Sequence, residues 1–416
     1  MIQKVSKKNY SGVIGIPASK SDAQRAILCA GLAFGTSLLQ NVGESDDEKA
    51  MLSTIRKFGA RIQYRENGVL EIRGIGSLMF NSTDEINVGE SGLGVRLLTA
   101  IASTSNLAIK LVGRASLLQR DLSFFEKFLP QMGVEVISTR GKLPIKVNGP
   151  LQGGSYTVDG SESSQYISGL LMALPFAQDN SVLTVENLKS TPYIEMTMNT
   201  MESFGIKIQR KADIFSIEGS QKYSAVEYSI DRDWSSASCW LVASALGCDI
   251  KVSGLSMTSL QADKQLLNAL KISNCSVVQS PSGISIDGTK RQPLTFDLTD
   301  CPDLFPALTV FASLTKGISR LKGASRLVNK ESNRGMALQQ EFGKLGCTIE
   351  LDNDEMIVYG EGVLIGAKVT SHGDHRIAMS LGIAGMFSNG EVEIDGAEVI
   401  SKSYPNFWED LEKLRN

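Results

Sequence analysis

The sequence predicts an α/β fold of two domains with three repeats each. Three observations carry this reading: a motif recurring six times at even spacing, helices that are apolar nearly all round, and a glycine that repeatedly separates a helix end from a strand. Counted from Ser21 through Ser91, Ser163, Ser235, Asp303 and His375, the steps are 70, 72, 72, 68 and 72 residues, which is an internal repeat. With 416 residues and 42% hydrophobic content, the chain is too long for one ordinary core and rich enough to fill two. Six repeats divide as three and three, with the boundary near Ile230, between the strand E-Y-S-I and the fourth helix.

The strand-like V-I-G-I precedes Pro17, and the first repeat follows at once as S-K-S-D-A-Q-R-A-I-L-C-A-G-L-A, with the strand T-S-L-L-Q-N-V after Gly35. The later repeats open as S-G-L-G-V-R-L-L-T-A-I-A, S-S-Q-Y-I-S-G-L-L-M-A-L, S-S-A-S-C-W-L-V-A-S-A-L, D-L-F-P-A-L-T-V-F-A-S-L and H-R-I-A-M-S-L-G-I-A-G-M. Such helices have little polar face and are expected inside a domain. Gly59, Gly133, Gly205 and Gly346 mark the next helix end, where a left-handed cap suits glycine; Asn274 holds that place in the fourth repeat. A short strand closed by Gly74, Gly149, Gly219, Gly288 or Gly360 follows.

The net charge of -3 is dispersed, so neither nucleic acid nor an anionic membrane is expected as partner. The first residues have no apolar run after their basic ones, and no apolar stretch approaches the roughly 18 residues of a spanning helix. A soluble cytoplasmic protein is expected. Six cysteines without C-x-x-C spacing are read as packed, reduced thiols. His372 and His375 lack the Cys or Glu partners of a metal site, G-x-S-x-G is absent, and G-E-S-G-L-G lacks the G-K-[ST] ending of a phosphate loop.

If the repeat helices are internal, their N-termini emerge together at one end of each domain. A helix N-terminus favours anions, and two facing groups of three would form a cleft for a strongly anionic ligand. Lys20, Arg25, Arg96, Arg120, Arg334, Arg376 and Lys402 stand at helix starts or in adjoining short loops. Each alone reads as a solvated surface charge; their shared place in the repeat argues for a site. Ser163, Ser164 and Gln165 offer more donors than an N-cap needs. Asp303 is either a cap for the fifth helix or a site carboxylate. Glu331, flanked by Lys330 and Arg334, is either half of a surface ion pair or a proton-transfer group.

The ordered set P-A-S-K-S-D-A-Q-R, G-S-E-S-S-Q-Y, S-T-P-Y-I-E-M-T, D-C-P-D, L-V-N-K-E-S-N-R, G-D-H-R-I-A-M and S-K-S-Y-P resembles the 5-enolpyruvylshikimate-3-phosphate synthase family over nearly the whole chain. The resemblance implies two inverse α/β barrels of three βαβαββ-type repeats with buried parallel helices. They would be an N-terminal domain of residues 18–230, mainly on the shikimate 3-phosphate side, and a C-terminal domain of 1–17 plus 231–416. The active site would lie in a cleft between them that closes on substrate. The reaction would transfer the enolpyruvyl group of phosphoenolpyruvate to the 5-hydroxyl of shikimate 3-phosphate, releasing phosphate, without metal or cofactor and as a monomer.

Carried over residue by residue, Lys20, Ser21, Arg25, Ser163, Ser164, Gln165, Ser190, Asp303 and Lys330 would contact shikimate 3-phosphate. Lys20, Gly92, Arg120, Gln165, Arg334, Arg376 and Lys402 would surround phosphoenolpyruvate. Asp303, Glu331 and Lys20 would be catalytic: Asp303 takes the proton of the attacking hydroxyl, and Glu331 exchanges one with the methylene carbon. The chain departs from the family with Glu90, Ser91, Gly92 and Leu93 where N-A-G-T is usual, Leu97 in place of proline, and Asn333 in place of aspartate. A carboxylate at Glu90 would oppose an anionic substrate unless a neighbouring arginine pairs with it. The related transferase acting on a UDP-amino sugar, which uses a reactive loop cysteine, is the nearest enzyme alternative. A catalytically silent anion-binding protein is the other; it would have no use for Asp303 and Glu331.

Overall fold

Every predicted repeat start leads into a buried helix. In the computed structural model, which describes residues 1–76 and 85–415, the chain separates into two compact units, Ala18–Asp231 and Met1–Pro17 with Arg232–Asn416. The first unit carries α1 (Lys20–Leu32), α2 (Asp46–Lys57), α3 (Gly92–Ala102), α4 (Ser123–Phe128), α5 (Ser164–Ala173) and α6 (Thr191–Ser203). The second carries α7 (Trp234–Ala245), α8 (Leu266–Ile272), α9 (Phe305–Ser313), α10 (Arg334–Lys344), α11 (His375–Gly385) and α12 (Phe407–Lys413). Each residue of α3, α7, α9 and α11 is buried, as their all-round apolar sequences require. By contrast α2 and α10 keep a polar face and pack from one side.

The sheets follow the repeat. In the second repeat, strand Glu85–Asn87 pairs parallel with Ala108–Val112, which pairs antiparallel with Ile145–Asn148, itself the partner of Glu135–Ser138. With α3 and α4 between them this is a βαβαββ unit. The helix between two parallel strands supplies the crossover that parallel pairing needs. The sixth repeat lacks the final hairpin, and strand Ile2–Val5 fills that edge against Val392–Asp395.

The strands before the first and fourth helices are exchanged. Ser11–Gly15, which precedes α1 in sequence, pairs parallel with Asp249–Ser253 after α7. Glu227–Ser229, which precedes α7, pairs parallel with Thr36–Gln40 after α1. Thus the chain's first residues belong to the sheets of the unit that contains its end.

The recurring glycines have two physical reasons. The helix-end marker takes the left-handed conformation: Gly133 has φ +80°, and Asn274 in the fourth repeat has φ +61°, since asparagine tolerates that region better than most residues. The strand-closing glycines lie against carbonyl oxygens at the C-terminal ends of the buried helices. A Cβ at Gly149 would collide with the Ser103 carbonyl, and one at Gly288 with that of Ala245. Cys29, Cys239, Cys275, Cys301 and Cys347 are buried free thiols, and Cys248 is a half-buried one. Among the described residues no helix is long and apolar enough to cross a membrane.

Candidate active site

In the unit Ala18–Asp231, the polar residues at the starts of α1, α3 and α5 join into one network. Lys20 is the first residue of α1, and its Nζ lies 3.2 Å from Oδ2 of Asp47, buried in the first turn of α2. One turn into α1, Gln24 donates to the Lys20 carbonyl (3.3 Å) and accepts from Ser91 Oγ (2.6 Å). Ser91 also caps α3 by accepting from the Gly94 amide at 2.9 Å. Arg96, a turn further, donates to the Gly92 carbonyl (2.8 Å) and to Gln165 Oε1 (3.2 Å), with its guanidinium 4.7 Å from the ring centre of Tyr166. Ser163 caps α5 through the Gln165 amide, which leaves Ser164 and the Gln165 side chain beyond the cap's needs. Gly92 lies directly under Arg120, so that any Cβ there would collide with the guanidinium.

Arg25 has a different standing. It is buried, and it donates from Nε to Thr197 Oγ1 (2.7 Å), from Nη1 to the Ser21 carbonyl (2.7 Å), and from Nη2 to Ser168 Oγ (3.3 Å) and the Tyr193 carbonyl (3.4 Å). Burial lowers its pKa to about 10, and these bonds tie α1 to α5 and α6. Ser190 precedes α6 in a left-handed conformation with φ +56°, which a serine adopts only where its surroundings impose it.

In the other unit, three carboxylates and a buried arginine form the centre. Arg334, the first residue of α10, has no exposed side chain and reaches all three. It donates from Nη1 to Asp303 Oδ1 (2.8 Å), from Nη2 to Glu331 Oε2 (2.8 Å) and from Nε to Asp374 Oδ2 (2.9 Å). Asp303 also meets Lys330 at 3.3 Å and Arg376 at 3.1 Å, and Lys402 Nζ stands 4.0 Å from Glu331 Oε1. Burial alone would raise the Asp303 carboxyl, but Arg376, Lys330 and Arg334 outweigh it and hold that group well below the usual carboxylate range. Burial lowers the Lys330 ammonium, and Asp303 only partly offsets it. For Arg334 and Arg376 the carboxylates overcome the burial penalty, and both are held above the ordinary guanidinium value.

The structure decides two points about helix ends. Asp303 does not cap α9; it sits in the 3-10 turn Pro302–Leu304 before it, and the residue in the cap position, Leu304, makes no side-chain bond. Two of the buried-helix N-termini of this unit, those of α7 and α11, are also not vacant anion sites. Asp233 caps α7 through the Ser235 and Ser236 amides, and Asp374 caps α11 through the Arg376 amide, so those partial positive charges already face carboxylates. Arg120 and Lys402 follow or end the 3-10 helices Ala115–Gln119 and Ala397–Lys402, in the short stretches that lead into α4 and α12, as expected of adjoining loops.

A model of the family described as EPSP synthase (3-phosphoshikimate 1-carboxyvinyltransferase) matches residues 5–411. The chain belongs to the EPSP synthase family. It is 36% identical to the 3-phosphoshikimate 1-carboxyvinyltransferase of Clostridium acetobutylicum, with 99% of this chain and 96% of the relative covered. It is 34% identical to that of Clostridium kluyveri over the same shares of each. The solved EPSP synthase of Acinetobacter baumannii superposes with a TM-score of 0.82 at 26% identity, covering 100% of this chain and 98% of that one. As a member of that family, the protein transfers the enolpyruvyl group of phosphoenolpyruvate to shikimate 3-phosphate in the shikimate pathway.

Of the polar residues that meet within each unit, the sequence named most but not Gln24, Asp47 and Asp374 as site residues. Gln24 lies one helical turn after Lys20, and the acidic run S-D-D-E opens α2 with a capping box between Ser45 and Glu48; both were readable signals. Glu90 has an arginine partner: Arg114 Nε lies 3.7 Å from its Oε1. Asn333 keeps the N-cap of α10, accepting from the Met336 amide at 3.3 Å, a task asparagine performs as well as aspartate.

Proposed function

We propose that Asp303 is the base that accepts the proton of the attacking 5-hydroxyl, and that Glu331 exchanges a proton with the methylene carbon of phosphoenolpyruvate. Lys20, Gly92, Arg120, Gln165, Arg334, Arg376 and Lys402 take phosphoenolpyruvate, with Lys20 also catalytic. Lys20, Ser21, Arg25, Ser163, Ser164, Gln165, Ser190 and Lys330 take shikimate 3-phosphate beside Asp303. As part of the same reading the enzyme works as a monomer in the cytoplasm.

One observation carries this assignment: Asp303 and Glu331 share a single buried arginine. While Arg334, Arg376 and Lys330 hold it, Asp303 is too weakly basic to take a hydroxyl proton. A substrate carboxylate that draws Arg334 and Arg376 to itself removes two of those three cations from Asp303, whose proton affinity then rises. Binding of the acidic substrate thereby switches on the base, and the free enzyme stays quiet. A silent anion-binding protein has no reason to set two half-buried carboxylates against its own cations, because each one weakens anion affinity.

The test is Glu331→Gln, which keeps shape and removes the proton-carrying group. Substrate binding is expected to stay within about tenfold while turnover falls by roughly a hundredfold or more. Turnover equal to that of the unaltered enzyme would remove Glu331 from the chemistry.

A further inference from the structure

The side chain of Glu341 is fully buried, far from any role assigned above, and it is saturated with donors. Its Oε2 accepts from the Thr370 amide (3.0 Å) and Lys344 Nζ (2.7 Å), and its Oε1 from Lys344 (2.9 Å) and His372 Nε2 (2.7 Å). A buried carboxylate without such partners would cost several kcal/mol. Its partners are not a random set. Thr370 ends the strand Lys368–Thr370, and His372 lies in the four-residue loop from there to α11, the loop that carries Asp374.

Glu341 stands seven residues after Arg334 on α10, which puts it on the same helix face about 10 Å further along the axis. Arg334 grips Asp374 at one end of the loop, and Glu341 grips Thr370 and His372 at the other. The loop is thereby fastened to α10 at two points, two helical turns apart. Within it, His372 adopts φ +52° and Gly373 φ +67°. The left-handed conformation is unfavourable for a non-glycine residue, and at 372 it accompanies a ring that reaches Glu341. Asp374 then caps α11 through the amide of Arg376 and lies between that residue and Arg334.

We propose that Glu341 and His372 form a clip that positions Arg334 and Arg376 for the carboxylate of phosphoenolpyruvate. Both are positioning residues, since neither is assigned to a substrate. The proposal rests on the reading that Arg334 and Arg376 bind phosphoenolpyruvate. His372 is partly exposed, so it can be changed without opening the core.

The experiment measures phosphate release by the full-length enzyme, varying each substrate in turn, for His372→Ala, His372→Gln and Arg376→Ala, with folding checked by circular dichroism. His372→Ala is expected to raise the KM for phosphoenolpyruvate about tenfold and to leave that for shikimate 3-phosphate within about twofold. Glutamine, which keeps a side-chain donor, is expected to restore most of the loss. A phosphoenolpyruvate KM unchanged in His372→Ala, both KM values rising together, or no rescue by glutamine would overturn the clip. If Arg376→Ala leaves the phosphoenolpyruvate KM unchanged, it is the arginine assignment that fails.

Discussion

At the scale of single residues, the carboxyl of Asp263 shows what this site costs the fold. It is buried in the unit that holds Asp303, accepts from Ser235 Oγ, and has an Oδ1 with no hydrogen-bond partner. Burial, with the charge of Asp303 adding to it, raises its pKa to about 7, against the opposing pull of Arg376. The sign follows from proton linkage. Below the unfolded value near 4 both states hold the proton and there is no penalty; as pH rises toward 7 only the unfolded state releases it, so stability falls, and above 7 the loss is constant. Asp263→Asn is therefore expected to be more stable than the parent at pH 8, by on the order of 4 kcal/mol, and about equally stable at pH 4. Denaturant melts at the two pH values check this, and a gain of the same size at both would contradict it. The rival UDP-amino-sugar chemistry is also decided by one residue. The only cysteine of Ala18–Asp231 is Cys29, which has no exposed surface and a thiol pushed up by burial, so no reactive loop thiol exists there.

At the scale of elements, the repeat was legible because each of its punctuation marks has a steric reason. Glycine closes the strand where a side chain would strike the end of a buried helix, and glycine or asparagine ends the second helix in the left-handed conformation. What periodicity could not reveal is which sheet a strand joins, since a strand looks the same whichever neighbour it pairs with. Ser11–Gly15 and Glu227–Ser229 trade places between the two units, and Ile2–Val5 completes a third sheet at the far end of the chain. A consequence can be measured. A fragment of residues 18–231 contains all its own strands and is expected to fold alone, with a cooperative urea transition. A fragment of 232–416 lacks two strands and leaves the edges of Asp249–Ser253 and Val392–Asp395 unpaired, so it is expected to aggregate or remain disordered until residues 1–17 are supplied. A cooperative transition in that fragment by itself would contradict the assignment of those strands.

At the scale of the whole molecule, composition bounded the answer and motif order named it, while the electrostatics had to be seen. The cations at helix starts suggested sites ready for anions. The structure instead sets Arg334 and Arg376 against Asp303, Glu331 and Asp374, and Lys20 against Asp47. Sequence spacing says that charges recur; it does not say which carboxylate faces which cation, because those pairs join residues up to 73 positions apart, as Asp303 and Arg376 do. The central proposal is that Arg120 and Arg376 each bind phosphoenolpyruvate. Its most direct test is the KM for phosphoenolpyruvate in phosphate release, measured for Arg120→Ala and for Arg376→Ala, one from each unit. Both values are expected to rise at least about tenfold, as for loss of a charge-assisted contact; a wild-type KM in either variant would contradict the account.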